Sequence, residues 1–201
     1  GVVYTAGVSS GLADPFAMDH LHTTDGSLWL SQNNGITKIE QQSAIRKFDE
    51  TNGVSGAVLD VQRFDGALYI GTMSGVQRLE YREGVWQFVS LAGANQPVWD
   101  LHPYYDPISG RRILLGLGMN TLYSIKDNRV SVFSYSDHDQ QFGGFVLCDT
   151  RDDARTLYVG TPSGVVRLYQ KDDGTWTRTQ LFQNEINDEV RSLVCDFDNN
   201  L

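Results

Sequence analysis

The sequence contains no run of about 18 consecutive apolar residues, the least that crosses a bilayer as a helix, so no part of it is expected to insert into a membrane that way. Its first residues lack the basic, apolar and small-residue succession of a secretory signal, and any such segment lies outside these 201 residues. Cationic side chains are scarce, with 16 Lys and Arg against 25 Asp and Glu and a formal charge of −9. Phosphate backbones and anionic lipid surfaces both need a basic stripe, so nucleic acid is excluded as a partner and a membrane surface is disfavoured. Cysteine is nearly absent. Cys148 and Cys195 lack C-x-x-C spacing, fit either redox compartment and read as small buried hydrophobes. The chain also has no G-x-S-x-G elbow, no Walker glycine loop and no nucleophile with a nearby base.

What is present is a repeated phrase. It occurs as Leu28-Trp29-Leu30-Ser31, Leu68-Tyr69-Ile70-Gly71, Ile113-Leu114-Leu115-Gly116 and Leu157-Tyr158-Val159-Gly160, and begins again at Leu201, with spacings of 40, 45, 44 and 44 residues. A period in the forties carried by strand-like segments predicts an all-β fold, a β-propeller of four-stranded antiparallel blades, because each small sheet must bury its faces against its neighbours. The phrase itself reads as the second strand of a blade. Its continuous apolar run implies cover on both faces.

The other strands follow in order. Apolar pairs three apart, Met18 and Leu21, Val98 and Leu101, Phe145 and Cys148, Val190 and Leu193, mark the inner strand, as does Val58 with Val61. Turn residues come next in Asp25-Gly26, Asp65-Gly66, Ser109-Gly110, Asp152-Asp153 and Asn199-Asn200. Seven residues after each phrase opens stands Gly35, Gly75, Asn120 or Gly164, residue types that accept positive φ, which predicts one shared geometry for the turn into the third strand. Outer strands such as Trp86-Gln87-Phe88-Val89 and Trp176-Thr177-Arg178-Thr179 alternate and carry polar edges.

These phases divide the chain into an outer strand of a preceding blade at 1–5, blades at 6–50, 51–91, 92–136 and 137–183, and the start of a fifth at 184–201. The ragged ends predict a piece of a longer propeller, whose remaining blades are then its first partners, or an open arc whose ends need a partner.

The stretch from Gly53 to Leu79, with Asp65-Gly66-x-Leu68-Tyr69-Ile70-Gly71-Thr72-x-x-Gly75-Val76-x-Arg78-Leu79, resembles the two-component regulator propeller repeat. Leu28-Trp29 and Gly160-Thr161-Pro162-Ser163-Gly164-Val165 are further copies; the third unit departs, with Leu117 in place of Thr and an insert at 103–110. The resemblance implies a non-catalytic sensor or ligand-recognition portion of a bacterial signal-transduction protein, a hybrid histidine kinase or diguanylate cyclase. It implies a place on the periplasmic or extracellular side of the inner membrane, a homodimeric receptor and an oligosaccharide ligand. Two alternatives stand beside it: a structural or protein-interaction propeller without a small ligand, and a carbohydrate-active propeller enzyme.

In propeller wiring the loops before each inner strand and the turns after the second strand share one face, so recognition is expected from 9–16, 51–57, 92–97, 138–144 and 184–189 and the adjoining strand ends. The position before the second apolar residue of each inner strand holds His20, Asp60, Asp100, Leu147 and Ser192. Its polar members, His20, Asp60, Asp100 and Ser192, together with Trp99, are the candidate ligand residues; an aromatic face covers the C–H surface of a sugar while polar groups pair its hydroxyls. A strand-end Asp also commonly holds a neighbouring backbone amide. Trp29, Tyr69 and Tyr158 repeat and read as blade packing, whereas Trp99 does not repeat. His102, Tyr104 and Tyr105 fall in the irregular third unit and read as an inserted hairpin. His20-x-His22 would turn two rings to one strand face, short of a metal site without a carboxylate. Asp172-Asp173-Gly174-Thr175-Trp176 resembles the Asp-box of sialidase-type propellers but lacks the residue between Gly and Thr, and reads as a turn. No metal, cofactor or catalytic residue is expected.

Overall fold

The computed structural model describes residues 7–24, 27–40, 47–133, 142–150, 152–182, 185–198 and 200–201. The strand expected at 1–5, the Asp25-Gly26 turn, Asn199, and parts of the loops at 138–144 and 184–189 lie outside the described residues. The chain divides into two compact units, Gly1–Lys47 and Phe48–Leu201.

In the first unit, β1 (Ala17–His22), β2 (Ser27–Gln32) and β3 (Gly35–Glu40) form an antiparallel meander with β2 central. The phrase Leu28-Trp29-Leu30 lies in β2. Gly35 opens β3 at φ 117° after a two-residue turn, a conformation that glycine adopts without penalty.

The second unit repeats a four-stranded meander three times. Its first sheet is β4 (Val58–Phe64), β5 (Ala67–Thr72), β6 (Gly75–Arg82) and β7 (Val85–Ser90). The second is β8 (Asp100–Asp106), β9 (Arg111–Leu117), β10 (Leu122–Lys126) and β11 (Arg129–Val132). The third is β12 (Val146–Asp149), β13 (Thr156–Thr161), β14 (Gly164–Gln170) and β15 (Trp176–Leu181). Sequential strands pair antiparallel throughout each sheet. This is the blade architecture of a β-propeller.

The cores lie between blades. One cluster joins Tyr69, Val76 and Val98 with Leu101, Leu114 and Tyr123, at the seam of the first two sheets of this unit. Another joins Tyr104, Ile113, Leu115 and Leu117 with Leu147, Leu157, Val159 and Trp176, at the next seam. Strand β9 therefore sends Leu114 to one seam and its neighbours Ile113 and Leu115 to the other, because successive strand side chains point to opposite faces. That is why the repeated phrase is apolar without alternation. Burying one such leucine contributes about 1.5–3 kcal/mol. Tyr69 is buried, and its hydroxyl meets Asn128 Oδ1 on the neighbouring blade at 3.4 Å.

The glycine that ends the phrase has its own reason. A Cβ on Gly160 would lie 2.3 Å from the Val190 carbonyl oxygen, and one on Gly71 would lie 2.8 Å from that of Val98. The next inner strand passes there, and only a hydrogen leaves it room. The threonine that follows stitches its turn. Thr72 Oγ1 donates to Gly75 O at 3.0 Å and accepts from Ser74 N–H, and Thr161 repeats both bonds with Gly164 and Ser163.

The third repeat corrects the expectation for Asn120. Gly75 and Gly164 sit at φ 119° and 112° after two-residue turns, but Asn120 is not at positive φ. There Leu117 pairs with Leu122, so the turn is four residues long and closes through Gly118 N–H to Thr121 O at 2.8 Å. A longer turn reverses the chain without a left-handed residue. The insert of this repeat lengthens the β8–β9 hairpin, with its tip at 107–110. The Asp172-Asp173-Gly174-Thr175 stretch is a tight turn, closed by Lys171 N–H on Thr175 O.

Candidate functional site

The loop face forms as propeller wiring requires. A Cβ on Gly75 would collide with the Ala94 carbonyl of the next inter-blade loop, and one on Gly56 would meet Ser74, so turns and loops interlock at one end. The inner strands begin there, and they carry most of the residues singled out from the sequence.

Asp60 and Asp100 play the same part on successive inner strands. The Asp60 Oδ2 accepts the backbone N–H of Leu101 at 2.7 Å, and the Asp100 Oδ2 accepts that of Leu147 at 2.6 Å. Each carboxylate thus satisfies a backbone donor that has no ladder partner on that side, and ties its blade to the next. Burial pushes the Asp100 carboxyl above its ordinary pKa, and the bond from Leu147 pulls the other way without cancelling it.

These ties revise the alignment of the fourth repeat. Leu147, not Cys148, takes the place of Leu101, which puts Val146 at the Asp100 position and Phe145 at the Trp99 position. The ring contacts agree: Trp99 meets Phe145 edge-on, with centroids 5.4 Å apart. Next in the series stands Arg191, whose guanidinium lies 4.2 Å from the Phe145 centroid and 5.5 Å from that of Trp99. Glu189 Oε2 holds the Arg191 Nε at 2.9 Å. The indole Nε1 of Trp99 is buried, with no hydrogen-bond partner among the described residues. Trp99, Phe145 and Arg191 recur every 46 residues, but a Trp, a Phe and an Arg share too little chemistry for sequence reading to join them.

Further along β8, His102 Nε2 lies 2.8 Å from Asp149 Oδ1 in an ion pair. Burial opposes charge on this imidazole, but Asp149, with Asp100 and Asp60 behind it, outweighs burial and holds its pKa above the ordinary value. His102 is thus a strand residue at the blade seam, within the β8–β9 hairpin, and Tyr104 donates its hydroxyl to Ala154 O at 2.7 Å. Tyr105 is exposed.

Two candidates remain. Ser192 is exposed beyond Arg191. His20 lies in β1 of the first unit, exposed, with its ring edge-on to His22 at 6.1 Å and beside a shallow depression of about 280 Å³ that Trp29 also lines. Among the described residues no three His, Cys, Asp or Glu side chains are disposed to hold a metal.

With this geometry in hand, known proteins locate the architecture. The chain superposes on the extracellular domain of a candidate hybrid two component system, BT3049 of B. thetaiotaomicron, with TM-score 0.52 and 12% identity, over 98% of this chain and 28% of that one. It shares that propeller fold. The extracellular domain of a candidate one component system, BT4673 of the same organism, gives TM-score 0.49 and 19% identity over 80% of this chain and 21% of that one. Virginiamycin B lyase from Staphylococcus aureus gives 0.43 and 14% over 87% and 59%. No family model matches the chain, and no curated protein matches it in sequence. The chain spans about a quarter of the length of the BT3049 domain, and at this identity the likeness establishes fold alone.

Proposed function

We propose that this chain belongs to the extracytoplasmic sensor portion of a bacterial signal-transduction protein, and that it recognises a ligand without turning it over. The observation that carries this reading is the row formed by Trp99, Phe145 and Arg191 at the loop end of the inner strands. It sets side by side two aromatic rings, a guanidinium and an indole N–H that no group among the described residues accepts. An oligosaccharide suits such a row, since rings cover its C–H faces and the guanidinium and carboxylates pair its hydroxyls. The fold shared with an extracellular domain of a two component system supports the sensor role. A homodimeric receptor would convert binding into signal if the ligand favours one of its two arrangements.

The test uses the complete extracytoplasmic portion and a broad panel of soluble oligosaccharides, read by thermal shift and calorimetry. At least one sugar should raise the melting temperature, and Trp99→Ala should weaken its binding by about tenfold or more. A panel without effect, or a sugar bound equally well by the Trp99→Ala protein, overturns the reading.

A further inference from the structure

The two cysteines lie far apart in sequence and meet in space. Cys148 is on β12, the inner strand of its blade, and is buried. Residues 190–195 run alongside in the place of the next inner strand: Val190 N–H donates to Thr161 O at 3.0 Å, and Arg191 covers Phe145. At the far end of this segment the Cys195 backbone N–H donates to the Cys148 sulfur. Both residues are thiols here, and Cys195 is the more exposed.

A backbone amide that reaches the other cysteine's sulfur sets the two residues side by side, and a disulfide would draw them to Cβ atoms about 3.5–4.5 Å and Cα atoms about 4.4–6.8 Å apart. The neighbouring inner strands are already fastened side by side by Asp60 and Asp100. The segment 190–195 has no such carboxylate, because Val146 stands where the aspartates would be. We infer that Cys148 and Cys195 form a disulfide that takes the place of the missing aspartate tie and fastens this segment to the fourth blade. The inference rests on the extracytoplasmic reading above for its oxidising surroundings.

The chemistry balances with a disulfide-bearing oxidant, such as a thiol oxidoreductase or oxidised glutathione. Cys195, the accessible thiol, attacks as thiolate and forms a mixed disulfide, releasing one thiol of the oxidant. Cys148, whose thiol burial makes less acidic, then loses its proton and attacks the Cys195 sulfur, releasing the second. Two protons and two electrons leave the cysteine pair. The oxidant's disulfide becomes two thiols.

The experiment equilibrates the full protein in glutathione buffers of graded ratio, alkylates remaining thiols and identifies cysteine peptides by mass spectrometry under non-reducing conditions. The expected result is one cross-linked Cys148–Cys195 peptide in the oxidising buffers, and a melting temperature about 5–10 °C above the reduced protein, a gain that Cys195→Ser abolishes. Two alkylated cysteines throughout, or separate glutathione adducts with no cross-link, overturn the inference. Alkylation in intact cells separates the two readings: a pair that cross-links in buffer but is fully alkylated in cells overturns the extracytoplasmic placement, not the geometry.

Discussion

Replacing Asp100 tests whether the inner-strand carboxylates hold the blades together. In Asp100→Ala the Leu147 N–H loses its acceptor, and Leu147 is 4% exposed, so water reaches that donor poorly. A buried donor left unpaired costs about 1–3 kcal/mol. Against this runs relief from a carboxyl that burial makes reluctant to ionise, which brings the net loss to about 1–2 kcal/mol. At about 2–4 °C per kcal/mol for a unit of this size, the melting temperature should fall by about 2–8 °C. Asp100→Asn keeps a carbonyl oxygen for the same N–H and removes the charge, so its loss should be well under half as large. The pH dependence adds a second signature. The folded protein holds the Asp100 proton more tightly than the unfolded chain, so the contribution of Asp100 is most favourable at low pH and declines as pH rises from the ordinary carboxylate value to the raised one. Asp100→Asn lacks that decline and should gain on the wild type over that window. Calorimetry of both variants from about pH 4 to about pH 8 measures these differences. Equal losses for Ala and Asn, or no loss for Ala, would refute the tie.

Two further outcomes follow from the seams. Because the pKa of His102 is raised in the folded state, its ion pair contributes fully below about pH 6.5 and is lost as pH rises through the folded value; Asp149→Asn should flatten that part of the stability curve, and superimposable melts across this window for both proteins would contradict it. Gly160→Ala places a methyl 2.3 Å from the Val190 oxygen and should cost about 1–3 kcal/mol in urea unfolding, whereas Gly116→Ala, whose nearest neighbour is at 3.6 Å, should be tolerated; equal effects would sink the close-approach argument.

The blade architecture was readable because burial on both faces forces the second strand to be apolar throughout, a local signal repeated at a fixed interval. Trp86 and Trp176 likewise lie in the outer strands β7 and β15, where the alternating pattern places them. The candidate site was less readable. Phe145, Leu147 and Cys148 are all apolar, so one-residue slips of that strand look alike in sequence, and the Asp100 tie alone decides between them. Arg191 is not legible as a site residue in sequence because its role depends on rings 46 and 92 positions earlier. Asn120 misled because its chemistry permits a left-handed turn that the longer Gly118–Thr121 reversal does not use.

Strand β9 divides its leucines between two seams, so among the described residues its blade has no private interior. Loosening that blade strips cover from both neighbours, and cooperativity passes between these three blades by adjacency, as in other stacked-repeat proteins. A cut between blades would therefore uncover a greasy flank on each side. Excised fragments should be judged by the flank they bare rather than by the count of intact sheets they retain.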